Sequence, residues 1–296
     1  MYKKILFSLL FLSFFIGFSQ KNNQVYDFFG GKTYANKAVF YRLLFEMDNG
    51  KIAGYAYTGE QGVLETKSII NGTFDITSNR IVFNETSKLI TNSRQKIEEL
   101  CYLNGIVTLQ LNDRISKIKG TFIEMTASGE DCQKGDINII SMGASINLKK
   151  QLKVEKLLAK TTIKEKEKSI KKIEKKLPSF NSNEKITIKT DGEITIFWNS
   201  DTIKLEIWDD SKEDGDEITI VLDNEIVLQN FKLHNKKESI ELSLKNKKNK
   251  LIFTANNAGL IGNNTARVDL FDKSIKHQII TQLGMNKSVT IYLIKQ

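Results

Sequence analysis

The chain has 296 residues, with 44 Lys+Arg against 35 Asp+Glu, two His, two Cys and a single Pro. Two histidines and two cysteines are too few for the usual multi-ligand zinc, iron–sulfur or haem scaffolds. A charged fraction of 27% beside 40% hydrophobic residues suits a folded chain rather than a disordered one.

The chain opens with Lys3 and Lys4, then a run of almost wholly apolar residues from Ile5 to Phe18, with Gly17 and Ser19 at the small-residue positions of a cleavage site. A membrane span needs roughly 20 apolar residues, and a polar Lys-Asn-Asn-Gln follows directly. Residues 1–19 are therefore expected to be a cleaved signal peptide. No cysteine follows the apolar run, so a lipid anchor is not expected there. The destination implied is the periplasm or the extracellular space, with no transmembrane span after cleavage.

Residues 21–143 read as a first β-domain. Strand patterns occur at 37–47, 51–57, 66–76, 80–85, 97–103, 106–111, 115–125 and 136–142. Turn-forming residues separate them: Asp48-Asn49-Gly50, Ser78-Asn79, residues 111–113 and residues 127–131. Eight short strands without a helical pattern predict an antiparallel barrel or sandwich. The pattern Ile-x-Gly-Thr-Phe occurs twice, around Gly72 and Gly120. A glycine inside a strand suits a bulge or a close backbone approach in a curved sheet. Export makes a Cys101–Cys132 disulfide the expected state of the two thiols, which lie 31 positions apart. Such a closure contributes roughly 3–4 kcal/mol in the chain-entropy model.

Residues 144–182 differ in composition from both flanks. Within them, residues 149–176 hold twelve lysines and four glutamates (+8); with the two leader lysines this exceeds the net +9 and leaves the rest of the chain at −1. The excess charge is thus expected on a basic, partly helical linker rather than on a nucleic-acid-binding face. The loosely helical spacing of its Leu and Ile residues fits a solvated spacer, or a basic amphipathic helix on an anionic surface.

Residues 183–296 read as a second domain, an antiparallel β-sandwich. Its strand patterns run at 184–190, 193–198, 203–209, 217–222, 225–231, 239–244, 250–256, 266–271, 276–280 and 289–295. Alternation such as Ile203/Leu205/Ile207 against Lys204/Glu206 implies one buried and one wet face. The acidic cluster of Asp209, Asp210, Glu213, Asp214, Asp216 and Glu217 is the strongest local signal. Carboxylates on a glycine-containing turn can converge on a hard cation such as calcium, with Asp209, Asp210, Asp214 and Asp216 the candidate ligands. The spacing is not that of an EF-hand, and an Asp-Gly turn also forms without an ion.

Asp214-Gly215-Asp216-Glu217-Ile218, with a later Ala255-Asn256-Asn257-Ala258-Gly259 and Asn264-Thr265-Ala266, resembles a module of exported Bacteroidota proteins that carries DGDxI and AxNxG…NTA elements. The first half is similar to secreted β-domains of the same lineage. The proline usual between the module's last two elements is absent. The resemblance implies compartment and fold and assigns no activity.

No GxSxG, HExxH, Walker or dinucleotide motif is present. His234 is expected at a strand end and His277 on a solvent-facing strand position, neither catalytic. Trp198, Trp208 and Tyr292 suit either the core or a sugar-stacking surface. Paired carboxylates of a glycosidase are spatial rather than sequential. The sequence thus predicts an exported, all-β, non-enzymatic protein that recognises a glycan or protein partner at the envelope; its acidic cluster reads first as a solvated turn, with a calcium ion that stabilises the second half as the alternative. A polysaccharide hydrolase and a structural envelope component are the alternatives.

Overall fold

The computed structural model describes residues 25–60, 63–93, 96–110, 115–142, 185–209, 213–258, 262–273 and 275–296. The expected signal peptide at 1–19 and the linker at 144–182 lie outside the described residues. The fold is all-β, with no α-helix among the described residues.

Eight strands form the first half: β1 (Val25–Tyr34), β2 (Lys37–Asp48), β3 (Lys51–Glu60), β4 (Val63–Asp75), β5 (Arg80–Thr91), β6 (Cys101–Gln110), β7 (Ile115–Thr126) and β8 (Asp131–Met142). Each pairs antiparallel with its sequence neighbour, and β8 returns to pair with β1 through Phe29↔Ile140 to Thr33↔Asp136. The result is a closed up-and-down barrel. Asn49 and Gly50, both at positive φ, make the tight β2–β3 turn that the sequence signals.

The strand count of eight is the expected one, but two boundaries differ. β1 was not foreseen, because Gly30-Gly31 interrupts its apolar pattern. The patterns at 97–103 and 106–111 belong to one strand, β6, preceded by a 3₁₀ turn at Ile97–Glu99. The repeated glycines have a steric role. A methyl group on Gly120 would lie 2.5 Å from Val107 Cα, and one on Gly72 would lie 2.8 Å from Phe83 Cβ.

The barrel is filled. Tyr26, Phe28, Tyr41, Phe45, Phe83 and Phe122 are all buried within it. Outward positions such as Lys119, Lys134, Asp136 and Asn138 are exposed. That polarity is the reverse of a lipid-embedded barrel. No helix of the described residues is long and apolar enough to cross a membrane.

The second half contains β9 (Lys185–Lys189), β10 (Glu193–Trp198), β11 (Thr202–Trp208), β12 (Glu217–Leu222), β13 (Glu225–Lys232), β14 (Glu238–Ser243), β15 (Lys248–Ala255), β16 (Asn264–Asp272), β17 (Ile275–Leu283) and β18 (Ser288–Lys295). They form a sandwich of two layers, β13-β12-β15-β18-β10 and β14-β11-β16-β17-β9. Pairing is antiparallel except where β10 joins β18 and β9 joins β17. Those parallel pairs arise because the chain changes layer at Thr190–Gly192. That corner is held by Thr190 N–H to Gln282 O (3.1 Å) and Asp191 N–H to Ser288 O (2.8 Å). Ile203, Leu205 and Ile207 face the sandwich interior, as their alternation predicts. Each fully buried aliphatic side chain of this kind contributes about 1.5–3 kcal/mol of burial.

The barrel wall and the first sandwich layer are one continuous sheet. β5 pairs with β6 over Arg80–Asn84, then with β10 through Ile90↔Ile196 and Thr91↔Thr195. Between those stretches its register against β4 shifts at Lys67/Ser68 and at Ile69/Ile70. Such bulges increase local twist and re-aim a strand, here from one partner to another. Barrel residues Tyr55, Tyr57, Leu89 and Ile90 join the sandwich core cluster, while the barrel keeps its own interior cluster. Leu100 packs separately against Phe197 and Ile294.

Candidate metal centre

The β11–β12 connection begins where Trp208 ends β11. Asp209 follows and is only 2% exposed; its N–H donates to His234 O at 2.8 Å. Asp210 lies outside the described residues. The chain then passes Glu213, Asp214 and Gly215, the last at φ 89, a conformation that favours glycine. Asp216, 3% exposed, comes just before β12, and its carbonyl accepts from Leu233 N–H at 2.8 Å.

This path gathers Asp209, Asp214 and Asp216, each with a carboxylate oxygen within 4.8 Å of the others. Two carboxylates at that separation repel by roughly 3 kcal/mol at an effective dielectric of about 20, and by less toward solvent. Asp216 Oδ2 accepts from Thr265 N–H at 2.7 Å. Its Oδ1 is buried and has no hydrogen-bond partner among the described residues. Burial pushes the Asp216 carboxyl up to about 6, and the Asp214 and Asp209 charges add to the effect against the Thr265 N–H.

The elements resembling AxNxG and NTA fold back onto this turn. Asn257 Oδ1 accepts from Glu217 N–H at 2.9 Å, and its Nδ2 donates to Gly215 O at 2.8 Å. Asn264 Nδ2 donates to Glu217 O at 3.0 Å and to Asn257 O at 3.3 Å. Asn264 Oδ1 is a further buried oxygen without a partner among the described residues. The acidic turn and a region some forty to fifty positions farther along the chain thus close one corner. Asn257, Asn264 and Thr265 carried no assigned role in the sequence; the only signal for them was the recurrence of those elements.

Glu213 belongs elsewhere. Its carboxylate accepts from Asn235 N–H at 2.6 Å and lies 3.6 Å from His234 Nδ1. The backbone donor, with a smaller effect from His234, holds Glu213 below the usual carboxylate range. His234 sits past the end of β13, as expected.

His277 does not face solvent as its strand pattern suggested. It occupies the inward phase of β17 and is buried, with its ring 5.8 Å from that of Trp198. Burial first, and then the Lys67 charge, lower its pKa to about 4, against an opposing pull from Asp272. Trp198 is buried and donates Nε1–H to Thr202 O at 3.0 Å. Trp208 lies under the Lys237 ammonium at 4.1 Å, and Tyr292 under that of Lys248 at 4.3 Å. These three aromatics therefore act in packing and cation–π contacts.

Cys101 and Cys132 form a disulfide with Cα atoms 6.4 Å apart, tying the start of β6 to the start of β8. Near the same end, the barrel interior holds charges that the sequence did not reveal. Lys32 pairs with Glu124, which also accepts from Gln133. Lys88 pairs with Glu85 at 2.6 Å and donates to Ser68 at 3.2 Å. Tyr41 donates to Glu85 at 3.4 Å; burial, and then the Glu85 and Glu124 charges, raise its pKa well above the ordinary value. Each buried carboxylate there is matched by a lysine, as a closed interior requires.

No family model matches this chain, and comparison with curated proteins and with solved structures finds no match. What defines it is the architecture itself: a closed eight-stranded barrel joined through one strand to a ten-stranded sandwich with an acidic corner.

Proposed function

We propose that the protein is an exported, non-enzymatic binding or envelope-associated protein that recognises a glycan or protein partner through its outer surfaces. The observation that carries this reading is the filled barrel. Among the described residues its interior is occupied by large aromatic side chains and self-paired charges, which leaves recognition to its outer surfaces. The outer wall is more available. Val82 and Ile106, paired across β5 and β6, are 39% and 46% exposed, and Ile123 on β7 is 51% exposed. The disulfide supports an oxidising compartment, the periplasm or the extracellular space. The apolar leader and the resemblance to exported Bacteroidota modules point the same way.

The test is incubation of the mature chain with purified envelope polysaccharides and, separately, with cross-linkable envelope proteins. We expect retention of one partner with its chain length unchanged. Release of new reducing ends from any polysaccharide would overturn the non-enzymatic assignment in favour of a hydrolase.

A further inference from the structure

Asp209, Asp214 and Asp216 come together although Asp209 and Asp216 are both almost fully buried. Burying carboxylates is costly unless a cation or a set of donors meets them. Thr265 N–H meets one oxygen of Asp216, and the other has no partner among the described residues. That orphaned oxygen belongs to a carboxylate that lies beside those of Asp209 and Asp214. A turn that needed acceptors only for its own backbone would have no use for it.

The donor chemistry selects the ion. The corner offers oxygen alone: both cysteines are in the disulfide, His234 faces Glu213, and His277 packs at a tilt against Trp198. Oxygen-only sets suit hard cations. Calcium accepts irregular arrays of six to eight oxygens, whereas magnesium demands a tight octahedron and keeps much of its water. Asn264, one residue before the amide that holds Asp216, likewise carries a buried Oδ1 without a partner among the described residues.

We propose that Asp209, Asp214 and Asp216 bind one calcium ion, which fastens the end of β11 and the start of β12 to the start of β16. Water and neighbouring oxygens complete the coordination. The ion draws together the segments containing the DGDxI and NTA elements. The site is independent of what the outer surfaces recognise, so its failure would leave that reading untouched.

The experiment uses the mature chain, stripped with a chelator and dialysed. Terbium serves as the probe, because Trp208 immediately precedes Asp209 and sensitises emission from a lanthanide bound beside it. We expect sensitised emission that calcium displaces. Calcium at about 10 mM should raise Tm by roughly 3–10 °C, given dissociation constants of about 0.1–1 mM for extracellular sites. Asp214→Asn should abolish both responses. In chelator, its Tm should equal or exceed that of the unsubstituted chain, because one like charge is gone. A merely structural aspartate would instead lower Tm equally with and without calcium. Glu213→Gln, in the same turn but outside the cluster, should respond to calcium normally. Should Asp216→Asn not fold, Asp214→Asn, at the less buried position, still decides. The proposal is overturned by an unchanged Tm in calcium, by terbium emission that survives Asp214→Asn, or by an equal rise in magnesium.

Discussion

Replacing Ile90 with alanine tests whether the barrel and the sandwich support each other energetically. Ile90 is on β5, a barrel strand, yet it pairs with Ile196 of β10 and packs in the sandwich cluster at 7% exposure. The substitution removes three carbons, worth about 0.8 kcal/mol each in transfer. Incomplete collapse of the resulting cavity brings the expected cost to about 3 kcal/mol. Both tryptophans, Trp198 and Trp208, lie on β10 and β11, so tryptophan fluorescence reports the sandwich alone. In urea, the fluorescence midpoint should fall by roughly 1–2 M, for an m-value of about 2 kcal/mol/M. A fluorescence transition that stays in place, while far-UV circular dichroism shows only the barrel weakening, would refute the coupling.

Two further predictions concern the barrel staple and the buried histidine. Replacing Cys101 and Cys132 together with serine should cost about 3–4 kcal/mol, read from the denaturant midpoint. The same double variant should make that midpoint insensitive to reductant. His277 is held neutral by burial, with its pKa lowered from 6.5 to about 4. The unfolded chain therefore binds the proton first, so the stability contributed by the neutral ring is complete above about pH 6.5 and is lost as pH falls toward 4. Between pH 7 and pH 5 the loss should be about 2 kcal/mol. His277→Gln should flatten the midpoint-versus-pH curve across that window, and an equally steep curve in the variant would contradict the assignment.

The sandwich was legible because its strands alternate cleanly. All ten strand patterns correspond to observed strands, and Ile203, Leu205 and Ile207 face inward as their phase demands. The barrel was harder to read. Its first strand hides behind Gly30-Gly31, and its closure depends on β8 reaching β1, a pairing that no local pattern encodes. The junction is also non-local: Ile90 and Thr91 look like the end of any strand until β10 takes up the edge that β6 leaves. Lys32, Glu85, Lys88 and Glu124 were invisible as core residues, because a charged residue in a strand reads as outward-facing unless its partner is known. His277 illustrates the same limit, since lysine and histidine are adjacent in β17 and either phase places a polar residue inward. The acidic turn was legible from composition, and Asp209, Asp214 and Asp216 do converge. Its enclosure by Asn257, Asn264 and Thr265 was not, because those residues come from some forty to fifty positions farther along the chain.

Crystals of the protein grown with calcium, measured at a wavelength where calcium scatters anomalously, examine the acidic corner directly. We expect one anomalous peak bounded by carboxylate oxygens of Asp209, Asp214 and Asp216, at the 2.3–2.6 Å distances typical of calcium. No peak there at saturating calcium, or a peak coordinated by other residues alone, would contradict the assignment of that corner as the cation site.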